Sequence, residues 1–499
     1  MPAEFDVAIV GAGPTGLCLA LLLANAGRSV VLLERHTEAY PLPRAVHFDG
    51  EVARLLQACG LGPELPGLTE PADVYEWRNG AGQVLLRFGI EGPSTSGWPA
   101  ANMFNQPDLE EALRRQVEAS PHLELRFGSA VTSFTQDAEM VTLTTEDGSS
   151  ITATFMVGCD GANSPTREDL GIPLEDHGFF FDWLVVDVAL SDDRTFVPSN
   201  LQICDPVRPT TAVSGGPGRR RWEFMCLPGE TLDALDDHDA AWELLAPWDV
   251  TPANAEMVRH AGYRFRARWA TRWHDGRVIL AGDAAHQTPP FAGQGMCTGI
   301  RDAANLAWRL DLILSGGDRA SLLAGYDLER IPHAASVIGF AIELGKVICI
   351  ADPDEARARD ELMAISPDAA PTETPALPGL EAGTLLASPG AGELVLQARV
   401  RRGDAEGLLD DVVGLGWRLL CMDGAATLDP ELVEWFTSIR GQIVDLSPEG
   451  DVTDLEGAYG RWISALGVRC VLQRPDAYAF GSGEEPSALI SELRAALHS

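Results

Sequence analysis

The residues near the start of the chain best suited to chemistry are three glycines in the run Gly11-Ala12-Gly13-Pro14-Thr15-Gly16. Glycine at the first position permits a tight turn, at the second it lets the backbone approach a pyrophosphate, and at the third it lets a helix pack closely on a strand. The helix that follows offers unpaired N–H groups and the positive end of its dipole to phosphates. Glu34 closes a second β-rich run, Ser29 to Leu33, and a carboxylate there can accept hydrogen bonds from ribose hydroxyls. These residues predict a dinucleotide site without saying which dinucleotide.

Three later segments extend that site. Phe155-Met156-Val157-Gly158-Cys159-Asp160-Gly161 reads as a strand entering a polar turn. Arg277 to His286 is another buried strand, delivering Asp283 after Gly282. The third is Pro289-Pro290-Phe291-Ala292-Gly293-Gln294-Gly295, followed by a helix from about Cys297 to Leu314. An aspartate after a strand can bind a hydroxyl of a ribityl chain. The prolines fix the turn, and Gly293 and Gly295 let backbone approach a flat ring. A helix start aimed at a flavin stabilises the negative charge it gains on reduction. Each piece alone could be a simple strand-to-helix turn; their order, with the first turn so close to the N-terminus, favours FAD.

These residues need elements to hold them. Phe5 to Val10 reads as a strand and Leu17 to Ala26 as a helix. Leu201 to Leu227 alternates like a meandering sheet inserted between the halves of the first domain. Such an insert walls a pocket, which Trp183, Trp222, Phe224 and Phe179 to Phe181 could line. Residues 351–392 turn to Asp, Glu, Pro, Ala and Thr, including Ser366 to Thr372, and read as a linker too polar to pack. Strand-like alternation resumes at Gly416 to Met422, Ile443 to Leu446 and Val468 to Gln473, predicting a small α/β domain.

The formal charge is −36, which disfavours nucleic acid and anionic membranes as partners. No long uncharged apolar run stands out, and Met1 to Asp6 lacks a basic leader. Nine dispersed cysteines without CxxC or zinc spacing predict reduced thiols, a cytoplasmic location and no structural metal.

The three motifs together resemble the fingerprints of the group A FAD-dependent aromatic monooxygenases, of the p-hydroxybenzoate hydroxylase fold, over about residues 1–345. Pro43-Arg44-Ala45, Asn105-Gln106-Pro107, Tyr326 and Glu329-Arg330 add to the likeness. Within that family the segments Cys204 to Pro209, Arg220 to Glu230 and Gly295 to Trp308 are most similar to 3-(3-hydroxyphenyl)propionate hydroxylases. The C-terminal part resembles a thioredoxin-like domain. Its solitary Cys421 and Cys470 leave no CxxC, so packing or dimerisation is its expected use.

The resemblance implies an α/β fold with an α+β insert. A Rossmann-like FAD-binding domain (1–75, 100–182 and 268–350) would carry an inserted mixed or antiparallel sheet for substrate (76–99 and 183–267). The linker (351–392) and the thioredoxin-like domain (393–499) follow. It implies non-covalent FAD held by Gly11, Gly13, Pro14, Gly16, Glu34, Arg35, Arg44, Gln106, Asp160, Gly282, Asp283, Pro290, Gly293, Gln294, Gly295 and Met296. NADH or NADPH would visit transiently as co-substrate, with O2 and a small aromatic compound; a homodimer is common in the family.

The implied reaction is hydroxylation of a phenol through a flavin C4a-hydroperoxide, on a phenolic acid of the 3-(3-hydroxyphenyl)propionate type. His47, Asp49, His286 and Asp302 are candidate bases for the phenol. Arg208 and Arg221 are candidate partners for a substrate carboxylate, against the ordinary reading of surface arginines. Two alternatives stay open, a tailoring hydroxylase of a larger polycyclic aromatic and a non-catalytic FAD-binding interaction protein. A flavin-dependent halogenase is disfavoured, because its Trp-x-Trp-x-Ile signature is missing.

Overall fold

In the computed structural model the described residues are 3–89, 92–366, 370–373, 376–422 and 428–498. The first domain is built on strand Phe5–Val10, which pairs in parallel with Val30–Leu33 on one side and Ser150–Gly158 on the other. Val278–Leu280 continues the sheet beyond Ser150–Gly158, also in parallel. These strands are mostly buried and rich in Val, Ile and Leu, the pattern expected when helices cover both faces. Helices α1 (Pro14–Asn25), α2 (Gly50–Leu56) and α3 (Gln106–Ala119) pack here, followed by α4 (Gly295–Leu314) and α5 (Arg319–Ile348).

Register sets the functional geometry. Val10 lies beside both Leu33 and Gly158, and Gly158 beside Leu280. Four strands therefore end in one line, and the turns carrying Gly11, Glu34, Asp160 and Gly282 leave the same edge side by side. That edge is where α/β sheets bind ligands.

A second sheet has nine strands, in which Leu174–Leu190 lies between Ala255–Ala270 and Arg219–Met225, and Thr210–Ser214, Asn200–Cys204 and Val74–Asn79 follow. Leu184, Val186, Val188, Trp222 and Phe224 point to its outer face, where they bury against Leu235, Ala241 and Leu245. By the two-residue period of a strand, Trp183, Val185 and Asp187, and Arg221, Glu223 and Met225, face the first domain. Of the aromatics expected to line a pocket, Trp222 and Phe224 thus face away. Phe180 is exposed, while Trp183, Phe179 and Phe181 cluster with Phe291.

The stretch expected to be an unpacked linker is partly ordered structure. Asp352 caps helix α6 (Pro353–Met363), accepting hydrogen bonds from the N–H groups of Asp354 and Glu355, with Pro353 in the first turn. Buried Arg359 in α6 donates to the Cys204 carbonyl, and Thr372–Glu373 pairs with strand Val84–Gly89. Polar composition hid these contacts because an arginine and backbone, not apolar side chains, make them. Pro367, Asp368 and Ala369 lie outside the described residues. By length and composition α5 is apolar enough to cross a membrane, yet Tyr326, Glu329, Arg330 and His333 are buried along it.

In the C-terminal part, Gln442–Asp445 lies parallel to Arg418–Cys421, which pairs antiparallel with Cys470–Gln473, and that strand with Ala479–Gly483. This is the thioredoxin-like topology expected. Cys421 and Cys470, solitary in sequence, lie directly opposite each other across two strands, both as buried thiols. Burial raises the Cys470 thiol to about 12, the opposite of a reactive thiolate. The two domains meet through buried charge. Arg54 of α2 donates to Asp410 at 2.6 Å, and Arg418 reaches the same carboxylate at 2.6 Å. Arg309 and Arg474 share Glu329, at 2.5 and 2.6 Å.

Candidate active site

The aligned strand ends form one wall of a cleft. Gly11 adopts φ +104°, and a side chain there would strike the Cys159 carbonyl, while one at Gly16 would strike the Gly11 carbonyl. Above Gly13 there is open space, and Gly13 gives no side-chain cap to α1. The cradle is closed behind by backbone and open in front at a helix N-terminus, which is what a diphosphate needs. Glu34 accepts from the Ala12 N–H at 2.9 Å and the His36 N–H at 3.0 Å, so its carboxylate is fixed beside the turn.

Asp160 accepts from the Thr166 N–H through Oδ2 at 2.9 Å, while its buried Oδ1 has no partner among the described residues. A buried carboxylate oxygen left unpaired is costly, and a ligand hydroxyl would satisfy it. Asp283 is open to the cleft, yet the protein around it excludes enough water that burial raises its pKa, against His286 and Arg44. Pro290 is exposed, Gly293 takes φ +62°, and Gln294 precedes α4 without a side-chain cap, leaving the first N–H groups of the helix open, with Met296 half-buried behind. The residues present fit FAD. Glycines, an orphaned carboxylate and a helix start stand where its diphosphate, sugar-alcohol chain and ring would need them.

Other sequence candidates are committed elsewhere. Gln106 accepts from the Ala45 N–H at 2.6 Å and donates to Glu110 at 2.7 Å, so it holds the Arg44 segment in place. Arg44 is exposed with its guanidinium 4.4 Å from the Tyr40 ring centroid, and Arg35 lies exposed beside His36. His286 and Asp302 pair at 2.7 Å in the core, where Asp302 also accepts from the Gly282 N–H at 3.0 Å and from Arg330 at 2.9 Å. They brace the Gly282–Asp283 turn from behind and do not reach the cleft as bases. Burial raises Asp302, but His286 and Arg330 overcome it and hold it below the usual range.

His47 faces the Gly293 carbonyl at 3.4 Å, and burial lowers its pKa towards a neutral ring. Asp49 caps α2 and pairs with Arg301 at 2.5 Å, so it is not a free base. Arg208 sits at the sheet edge, bound to Glu230 at 2.6 Å and to the Met225 carbonyl at 2.8 Å. Arg221 is buried on Asp187 at 2.7 Å and also donates to the Arg44 carbonyl at 2.5 Å. Neither arginine is available to a substrate carboxylate, because each already has one.

The opposite wall is the inner face of the second sheet. Direct cross-strand pairing lines up Gln202, Thr211, Glu223, Val185 and Ala261 in one row. Thr211 donates to Gln202 Oε1 at 2.7 Å, and the Tyr75 hydroxyl lies 3.5 Å from that oxygen. Burial raises the Glu223 pKa, with Arg221 pulling it back and Asp187 pushing it up. Tyr263, one rung away, is pushed up to about 12 by burial, with the Asp283 charge adding to the effect. The Asp283 carboxylate is therefore near enough to Tyr263 for the two to interact.

On one side the row meets an aromatic cluster, in which Phe291 packs edge-on against Phe265 with centroids 5.0 Å apart and against Trp183 at 5.9 Å. On the other it meets Arg221 and the Pro43–Arg44 backbone. Sequence reasoning missed Glu223, Thr211, Gln202 and Tyr75. The usable signal was parity: if Trp222 and Phe224 face one core, Arg221 and Glu223 must face the other side.

Comparison with known proteins bears on this geometry. The family model described as FAD binding domain matches residues 4–341, and one described as HcaD C-terminal domain matches residues 392–496. The chain is 40% identical, over 99% of its length and 95% of the relative's, to a probable NADH-specific resorcinol 4-hydroxylase of Rhodococcus jostii (strain RHA1). It is 33% identical, over 95% of its length and 88% of the relative's, to a 3-(3-hydroxy-phenyl)propionate/3-hydroxycinnamic acid hydroxylase of Mycobacterium sp. (strain JLS). Among solved structures, the flavin-dependent monooxygenase PieE in complex with FAD and substrate superposes with TM-score 0.82 at 20% identity, over 100% of both chains. Aklavinone-11 hydroxylase with FAD and aklavinone gives 0.77 at 25% identity, also over 100% of both.

Proposed function

The chain belongs to the FAD binding domain family and is an FAD-dependent aromatic hydroxylase, and from that premise we propose that it adds one oxygen atom to an uncharged dihydroxybenzene, using NADH and O2. The observation carrying the substrate class is the row Gln202–Thr211–Glu223 beside Tyr75, together with Arg208 and Arg221 each neutralised by a carboxylate of the protein. Hydroxyl and amide groups suit phenol hydroxyls, and these two arginines are spent on the protein's own carboxylates. The relative named for resorcinol and NADH supports the same choice.

Gly11, Gly13 and Gly16 with the N-terminus of α1 would hold the diphosphate of FAD, and Glu34 the ribose. Asp160 and Asp283 would hold the hydroxyl-bearing chain, and the turn from Pro290 to Met296 the ring. FAD held there would supply the redox chemistry, namely hydride acceptance from the nicotinamide and activation of dioxygen.

The chain's own residues do the rest. Thr211, Gln202 and Tyr75 orient one phenol hydroxyl, and Glu223 accepts its proton at the carboxylate, which makes the ring electron-rich. Burial raises the Glu223 pKa, and a more basic carboxylate takes a phenol proton more readily. The N-terminus of α4 favours negative charge placed before it. Phe291, Trp183 and Phe265 exclude water from the far end. The nine thiols suit a cytoplasmic location.

The test is a substrate panel of resorcinol, 3-(3-hydroxyphenyl)propionate and a polycyclic phenol, read as coupled oxygen uptake and a mass gain of one oxygen. Resorcinol-type compounds should give the highest kcat/KM. Preference for the propionate would overturn the substrate class while leaving the hydroxylase intact.

A further inference from the structure

One five-residue hairpin of the C-terminal domain, Arg474-Pro475-Asp476-Ala477-Tyr478, is driven into the first domain. Its polar side chains are buried, with Arg474 and Asp476 at 0% and 1% exposure and Tyr478 at 4%. The turn is closed by the Arg474 N–H donating to the Tyr478 carbonyl at 2.8 Å. Ala477 takes a left-handed φ of +68°, a conformation unfavourable for a residue with a Cβ. Such a backbone persists only where its surroundings hold it.

The three side chains reach three helices. Arg474 donates to Glu329 of α5 at 2.6 Å. Asp476 accepts from Asn305 at 2.9 Å and Trp308 at 3.1 Å, both on α4. Tyr478 donates to Glu51 Oε1 of α2 at 2.8 Å. The second oxygen of Glu51 accepts from Arg301 of α4 at 2.6 Å, and Arg301 donates onward to Gln294 Oε1 at 2.9 Å. Gln294 is the residue before α4 begins, next to Gly293 in the turn facing the cleft. A continuous buried path of hydrogen bonds thus runs from Tyr478 to that turn.

We propose that this hairpin sets the position of the cofactor-facing end of α4, with Tyr478 as the positioning residue. The C-terminal domain then tunes the bound flavin without touching it. The inference rests on assigning the turn Pro290 to Met296 to the flavin ring. Without the Tyr478 hydroxyl, one oxygen of Glu51 is left unpaired in a buried site, and Glu51 and Arg301 must rearrange. Gln294 is the next group along, so the start of α4 shifts relative to the cleft.

The experiment uses the full-length protein as wild type, Tyr478→Phe, Gln294→Ala and the double variant. Three quantities are read: FAD affinity of the apoprotein by flavin fluorescence quenching, the midpoint potential of bound FAD, and the fraction of consumed NADH that ends as hydrogen peroxide. For coupling through a packed network, Tyr478→Phe should weaken FAD binding about 3- to 10-fold and raise the peroxide fraction about 2- to 5-fold. Its Tm should stay within about 4 °C of wild type. The double variant should be no worse than the more affected single one, because both act on one path.

Wild-type values of affinity, potential and peroxide fraction in Tyr478→Phe overturn the proposal, as do fully additive effects in the double variant. Should Tyr478→Phe fail to fold, Glu51→Gln tests the same path with the side-chain volume kept. Failure of the wild-type apoprotein to take up FAD at all would instead sink the flavin reading.

Discussion

The two walls of the cleft are made of different materials. The strand-end wall is mostly backbone: turns at Gly11, Gly282 and Gly293 with positive φ, closed from behind by the Cys159 carbonyl, Thr15 and the His47 ring. The sheet wall is side chains delivered by register, with Gln202, Thr211 and Glu223 brought together from three strands. At Gly11 and Gly16 such a wall has little room to vary, since a Cβ there meets a backbone carbonyl that cannot move. A side-chain wall can exchange one group for another on an unchanged frame. The first wall suits a constant ligand and the second a ligand that differs between relatives.

Substitutions can break or sharpen that contrast. The largest effect is expected for Gly11→Ala, which combines a collision with the Cys159 carbonyl and a left-handed backbone. FAD affinity should fall by about 100-fold or more, a loss of about 3 kcal/mol, measured by quenching titration. Retention of near-normal affinity would show the backbone wall to be softer than described.

Next in size, Glu223→Gln should lower kcat by about 100-fold, the lower end of what a lost proton acceptor costs. Because the carboxylate is the active form, wild-type activity should rise with pH through the Glu223 pKa. Burial has raised that pKa, so the acid limb should lie above the ordinary glutamate range and vanish in Glu223→Gln. A limb that survives in the variant assigns the base elsewhere.

Thr211→Val removes the donor to Gln202 but keeps the shape. KM for the phenol should rise about 3- to 10-fold, in keeping with one hydrogen bond, with FAD affinity unchanged. The smallest effect is expected for Arg208→Ala, whose partner Glu230 lies at the half-exposed sheet edge. Steady-state constants should move less than about 2-fold, as for a surface pair; a large loss for carboxylated substrates alone would restore Arg208 as their partner.

The same contrast explains what could be read before the structure. The strand-end wall is written locally: each turn and its glycine or aspartate are neighbours in sequence, so the Gly11 to Gly16 run, Asp160 and Gly282–Asp283 were legible. Apolar runs of ordinary length predicted an inserted meandering sheet and a small C-terminal α/β domain, while the thioredoxin-like fold was implied by resemblance. The sheet wall is written non-locally. Glu223 and Thr211 meet only because their strands pair without a slip, and no spacing announces that. His286 and Asp302 misled for the related reason that a functional-looking pair and a structural one share the same residue types. Which side of the Gly282 turn they occupy depends on packing around Trp273 and Tyr326, whose rings lie 5.6 Å apart. Helix α6 escaped because its anchor is Arg359 on a carbonyl rather than an apolar stripe.

The shared carboxylate of Asp410 bears on how such a chain can be cut or recombined. Arg54 belongs to the first domain and Arg418 to the last, and both rely on one acid that burial alone would neutralise. Truncation before residue 392 would take Asp410, the Val395 carbonyl and Gln473 away from Arg54 together, and open to water a face of α2 that is now an interior. Glu329 would at the same stroke keep Arg309 and lose Arg474. The last hundred residues are therefore not a detachable cassette. A chimera that swaps this domain for a relative's must import the matching acids and arginines on both sides of the seam.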